Sequence, residues 1–219
     1  MTATPPSPCR RLLGGGPVLP VVLALLLSSA CSILPEAERY AAYRLAPLDP
    51  PAAEPSADWT LRIEQPEGSK LVTGSRIPIR LEGDQLSAYS GARWVSPLPQ
   101  LWRDHLAEAF RSDGRLPRIT GDGDQASADL TLQATLRAFW IETPGSDPQA
   151  RVAIDTRLVD TRRQRILETE RFEATAGMDG HDASTAVTAL GTANNQVVRS
   201  LIDWTLEAAP TTEDSRESG

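Results

Sequence analysis

The sequence predicts an α+β domain, an antiparallel sheet with two helices packed on one face, preceded by an export signal. Three observations carry this. Apolar residues alternate with period two through 59–64, 76–81, 130–140, 152–158 and 166–174. Two longer stretches, 97–113 and 183–207, space their apolar residues as a helix does. Two arginines, Arg10 and Arg11, precede the apolar run 17–27 and the small residues Ser28, Ser29 and Ala30.

That apolar run is about half the roughly 20 residues needed to span a bilayer and holds two prolines, so it reads as a cleaved signal. Cys31 follows the small residues directly, an arrangement that resembles a bacterial lipobox, with Ser28 where an aliphatic residue is usual. Cleavage before Cys31 would leave it at the new N-terminus to carry lipid. The expected organisation is a lipoprotein signal peptide over 1–30, a lipidated N-terminus with a short first strand and a proline-rich connection over 31–57, the domain proper over 58–208, and a disordered polar tail over 209–219.

Tyr40–Leu45 predicts the short first strand, and the proline-rich segment 47–57 an exposed connection. Trp59, Leu61 and Ile63 share one face of a half-buried strand, and a turn begins at Glu67-Gly68. Ile77, Ile79 and Leu81 repeat the alternation. Pro78 lacks an N–H, which predicts an edge strand or a strand whose proline side faces no neighbour. Leu86–Tyr89 reads as a third, short strand after the Gly83-Asp84 turn.

Ser96 as N-cap and Pro97 at the first helical position predict a helix ending at Gly114, with Leu98, Leu101, Trp102, Leu106, Ala109 and Phe110 as its buried stripe. Leu116–Ile119 reads as strand. Leu130, Leu132, Ala134, Leu136, Ala138 and Trp140 all occupy even positions, which predicts one long strand with all six in the core. Strands through Val152–Leu158 and Ile166–Ala174 complete an antiparallel meander, turned at 144–148 and 161–164. The second helix presents Val187, Leu190, Ala193 or Asn194, Val197, Leu201 and Trp204.

The formal charge is −7, and removal of 1–30, which carries Arg10 and Arg11 and no acids, takes it to −9. Such a surface argues against nucleic acid and against electrostatic adhesion to anionic lipid. Attachment then falls to the acyl chains, each buried CH₂ contributing about 0.8 kcal/mol. Cys9 lies in the signal and Cys31 would be lipidated, which leaves no thiol for a disulfide or a cysteine metal site. All five tryptophans fall within 59–204, as one aromatic-anchored core requires.

No nucleophile–base–acid set, zinc-protease motif or phosphate loop is present, so no enzyme and no cofactor is expected. His105 reads as a helix-surface residue and His181 as a loop residue without metal partners. Gly121-Asp-Gly-Asp124 with Asp129 lacks the acid spacing of a calcium loop and reads as a turn. Arg162, Arg163 and Arg165 read as a solvated hairpin tip.

The stretch 71–110 resembles the ABC-type transport auxiliary lipoprotein family, which includes the paraquat-inducible protein C-like lipoproteins. The resemblance rests on Ser75-Arg76-Ile77, on Tyr89 ahead of Ala92-Arg93-Trp94, and on the proline-led helix from Pro97, with Tyr43-x-Leu45, Gln65-Pro66 and Ala128-Asp129 in support. An aromatic residue is frequent in that family where this chain has Leu130. The resemblance implies a non-enzymatic domain anchored through Cys31 on the periplasmic face of the outer membrane. Its partners would be an MCE-domain protein and ABC transporter or membrane subunits that move lipid or other hydrophobic cargo; a homo-oligomer stays open. Tyr89, Arg93 and Trp94 are the motif residues, either as architecture, which the reading favours, or as a partner-docking surface. The alternative function is an assembly or plug lipoprotein for an outer-membrane β-barrel.

Overall fold

In the computed structural model, residues 40–48, 53–143 and 147–210 are described, all within one compact unit. The signal peptide, Cys31, residues 49–52 of the connection, 144–146 of the expected turn and the tail from 211 lie outside them. The elements are β1 (Ala41–Tyr43), β2 (Thr60–Ile63), β3 (Glu67–Gly68), α1 (Lys70–Thr73), β4 (Arg76–Arg80), β5 (Leu86–Trp94), α2 (Leu98–Asp113), β6 (Arg118–Gly121), β7 (Leu130–Glu142), β8 (Gln149–Asp160), β9 (Arg165–Gly177) and α3 (Ala183–Ala208).

The class is α+β as expected, but the sheet is mixed rather than antiparallel. Strands β7, β8 and β9 form the expected meander with full-length antiparallel pairing. The other edge of β7 is shared by three short strands, all parallel to it: β2 at Leu130–Leu132, β3 at Thr135–Leu136 and β4 at Ile141–Glu142. Strand β6 extends the first of these in parallel, while β5 and then β1 extend the last. Alternation marks a strand and its buried face but carries no direction, which is why the parallel pairings escaped the sequence. The three short strands align because the chain climbs the edge of β7 stepwise, and α1 is the one-turn crossover between β3 and β4.

Strand β4 is interior, which corrects the edge expectation for Pro78. Its ladder to β7 starts only at Ile79, and its register to β5 breaks between Arg76 and Pro78. The missing N–H therefore falls where the ladder is already interrupted. Helix α2 begins one residue later than expected: Pro97 is the N-cap and its side chain caps nothing, in place of Ser96. The leading N–H of that helix, on Leu98, instead donates to the Gly74 carbonyl at 3.1 Å. Gly114 ends it at φ 81°, and its N–H reaches the Phe110 carbonyl.

The even-position rule for β7 fails halfway along. Leu136 faces Ile154 and Ala138 faces Ala153, so Arg137 is the extra residue of a β-bulge. From there Phe139 and Ile141 fill the core, 0% and 2% exposed, and Trp140 is turned to the opposite face. There its indole N–H donates to Glu142 Oε2 at 3.1 Å, and the Arg80 guanidinium lies 5.8 Å from its ring centroid.

Helix α3 packs on β8 and β9, with Trp204 edge-on to Phe172. Helix α2 meets α3 through a fully buried hydrogen bond, Trp102 Nε1 to Asn194 Oδ1 at 3.0 Å. The segment after β1, expected as an exposed connection from Pro47, contributes Leu45 and Leu48 to the same core. Its Ala46 crosses α3 at Gly191, with 3.7 Å from Ala46 Cβ to where a side chain on that glycine would begin. Among the described residues no helix is long and apolar enough to cross a membrane.

Candidate functional site

The motif segments gather in three adjacent strands. Ala92, Arg93 and Trp94 in β5 stand opposite Ala41, Ala42 and Tyr43 of β1 on one side, and Arg93 stands opposite Arg76 of β4 on the other. Ser75 accepts the Trp94 N–H at 2.7 Å, and the adjacent Gly74 accepts the Leu98 N–H. The Ser75-Arg76-Ile77 triplet, the Ala92-Arg93-Trp94 triplet and the start of α2 thus form one joint.

The Trp94 ring is 2% exposed and stands edge-on to Phe139 at 6.0 Å between centroids. Its indole N–H is buried with no partner among the described residues. Trp94 thus joins this segment to the buried core. Arg93 is half-buried, and its guanidinium stacks 4.4 Å from the ring centroid of Tyr40, which is 52% exposed. A stack of that kind contributes roughly 0.5–1 kcal/mol at an exposed site. Tyr40 was not among the residues singled out in the sequence; only the parallel β1–β5 register brings it to Arg93.

Tyr89 lies on the other side of a kink in β5, where Gly91 takes φ 66°. It is half-buried, and burial together with the Asp182 charge pushes its hydroxyl pKa up. Asp182 caps α3 by accepting the Ser184 and Thr185 N–H groups at 2.7 and 3.0 Å. Arg93 and Trp94 therefore share one environment and Tyr89 occupies another.

The acidic candidates of the Gly121–Asp129 stretch are engaged in holding the fold. Asp124 accepts from Thr120 and the Gly121 N–H, Asp122 from the Gln65 N–H, and Asp129 from the Thr60 N–H. These carboxylates point to separate backbone partners, as a turn requires. No group of three or more histidine, cysteine or acidic residues is placed to hold a metal among the described residues. At the β8–β9 tip, Arg163 pairs with Asp160 at 3.0 Å.

His105 departs from its surface reading. From α2 it reaches α3, with Nε2 3.2 Å from Asn195 Oδ1, and the Asn195 amide reaches the Pro47 carbonyl at 3.5 Å. Burial lowers its pKa, partly offset by the hydrogen bond to Asn195. The unfolded chain protonates this imidazole near pH 6.5, and the folded chain only at lower pH. The stability tied to His105 is therefore complete above about pH 6.5 and is lost as the pH falls through the folded pKa. His105→Gln is expected to flatten that slope in urea titrations between about pH 7 and 5; an unchanged slope would assign the pH dependence elsewhere.

A model of the ABC-type transport auxiliary lipoprotein component matches residues 43–201, from the end of β1 into the last turns of α3. A crystal structure of a Xanthomonas campestris protein from a domain family of unknown function superposes with a TM-score of 0.72 at 24% identity, covering 80% of this chain and 99% of that one. An uncharacterised protein of known structure gives 0.61 at 17% identity, covering 77% of this chain and 99% of that one. Both likenesses concern the fold. No curated protein matches the chain.

Proposed function

Because the chain belongs to the ABC-type transport auxiliary lipoprotein component family, we propose that it is the lipid-anchored envelope subunit of a transporter that moves lipid or other hydrophobic cargo between membranes. The anchor is Cys31, the membrane is the outer one on its periplasmic face, and the partners are an MCE-domain protein and the ABC transporter's membrane subunits. The observation that carries this reading is the extent of the family match: it takes in nearly the whole folded body. The role is positional rather than catalytic. The acyl chains fix the domain at a membrane, and its exposed residues contact a partner; Arg93 and Tyr89 are the motif residues with exposure to offer.

Two measurements test this. Cys31→Ser is expected to abolish incorporation of labelled palmitate and to leave the 1–30 segment with its apolar run 17–27 attached, so that the protein no longer reaches the outer-membrane fraction. Cross-linking of the anchored protein in intact cells, followed by purification, is expected to recover an MCE-domain protein together with a transporter ATPase or permease. Recovery of an outer-membrane β-barrel in their place would transfer the protein to barrel assembly.

A further inference from the structure

We propose that the free edge of β9 is a self-association surface: it pairs in antiparallel register with β9 of a second copy of this chain, about a two-fold axis at Phe172. The pairing is independent of which membrane or cargo the protein serves.

Among the described residues, β9 pairs with β8 alone. None of its 13 residues is buried, although β8 beside it buries residues along its whole length. An open edge presents a row of unpaired N–H and C=O groups, and proteins blunt such edges with short strands, proline, charge or bulges. The strands that end the sheet elsewhere, β1 and β6, have three and four residues. Strand β9 has no proline and no lysine. Its bulge, at Leu167, lies at the start of the strand, so 168–177 pair with β8 without interruption. What remains to deter pairing is charge, from Glu168, Glu170, Arg171 and Glu173.

Those charges suit one partner strand, β9 itself. A two-fold axis perpendicular to the sheet keeps the helix-covered faces of both copies on one side, as the alternation of side chains demands. With Phe172 on the axis, Arg171 of each copy stands directly opposite Glu173 of the other. Thr169 stands opposite Thr175 on that same face, and Glu170 and Glu168 stand opposite Ala174 and Ala176 on the helix face. An axis at Glu170, Arg171 or Glu173 would set that charge against its own copy, which destabilises a cross-strand pair. An axis at Ala174 would bring no opposite charges together.

The pairs within one copy leave the required atoms open. Arg171 holds Asp155 through Nε and Nη2, at 2.5 and 2.9 Å, and Glu173 accepts from Arg151 Nη2 on Oε1 at 2.8 Å. Arg171 Nη1 and Glu173 Oε2 are left to meet across the axis. On the other face Phe172 is half-buried and edge-on to half-buried Trp204, at 5.7 Å between centroids. The axis brings the two Phe172 rings together and covers surface that each leaves exposed.

The test uses the full chain, cross-linked in the envelope of the cells that express it. Thr169→Cys/Thr175→Cys places two thiols six residues apart on one face, about 20 Å along the strand and out of mutual reach within one copy. In the proposed register each lies opposite the other's counterpart, with Cβ atoms about 5 Å apart. A short thiol cross-linker is expected to give at least about fivefold more covalent dimer from the double variant than from either single variant, whose like thiols stay about 20 Å apart. The parent chain supplies the background from Cys9 and Cys31, which all variants share. Adding Arg171→Glu sets Glu against Glu173 at two symmetric positions and is expected to lower the yield about tenfold. Adding Glu173→Arg as well is expected to restore it, whereas a loss caused only by the broken Asp155 pair would not be rescued.

Yields as high from a single variant as from the double overturn the register. A protein that gives no cross-link and sediments as a monomer at every concentration overturns the pairing. Thiols that link to a different polypeptide in place of a second copy overturn self-association in favour of a partner's strand.

Discussion

Trp102→Ala is expected to leave the protein largely unfolded. Trp102 is 0% exposed on α2, between Leu98 and Leu106 at 1% and 0%. Removing a buried ring of this size costs about 3–5 kcal/mol in lost transfer and cavity terms. Asn194 on α3 is also 0% exposed, and its carbonyl takes the indole N–H at 3.0 Å. Its Nδ2 has no partner among the described residues, so losing Trp102 would strand both ends of a buried amide. That adds about 1–3 kcal/mol. The sum is comparable to the whole stability of a domain of this kind, about 5–15 kcal/mol. Trp102→Phe keeps most of the volume and isolates the hydrogen bond. Asn194→Leu leaves the indole N–H unpaired. The Trp102→Phe/Asn194→Leu double variant removes both polar ends, and should lose about 1 kcal/mol less than the two singles together. Urea unfolding followed by far-UV circular dichroism measures all four proteins. A loss below about 2 kcal/mol for Trp102→Ala would mean that the two helices are not joined at this point.

The sequence made the elements legible where side-chain period decides them. The β7–β9 meander and both long helices appear near the expected bounds because their alternating or helical stripes extend over seven or more residues. What it concealed was set by long-range pairing. Nothing local in Trp59–Ile63 or Arg76–Arg80 states that these strands lie parallel to β7, since side chains alternate identically in either direction. The candidate site divides the same way. The triplets around Ser75 and Ala92 were visible, but that they face one another across β4 and β5 needed the register. Tyr40 became the partner of Arg93 only once β1 was seen to add in parallel. The bulge had a faint signal in Phe139-Trp140-Ile141, three large apolar residues in succession, which strict alternation cannot bury together.

That bulge leads to a paired prediction of very unequal size. Deleting Thr135 should be ruinous and deleting Arg137 mild, although the two residues are neighbours on one face of one strand. Without Arg137, Leu136 still points inward, Ala138 outward, Phe139 inward, Trp140 outward and Ile141 inward, so every core side chain keeps its place. The ion pair from Arg137 Nε to Asp155 Oδ2 at 2.6 Å is lost. It is an exposed pair, and Arg171 continues to hold Asp155, whose pKa of about 2 comes first from the Arg171 hydrogen bond. The cost is about 1 kcal/mol from the pair, plus whatever local twist the bulge supplied. Without Thr135, Leu136 moves to the outer face and Arg137 takes its inward position, now 2% exposed. Losing a buried leucine costs about 2–5 kcal/mol, and an unpaired guanidinium in its place costs several more. Urea midpoints of the two deletions decide the matter, and the ranking carries the test. If the Arg137 deletion is as damaging as the Thr135 deletion, the extra residue does not sit where the register puts it, and Trp140 owes its outward position to something else.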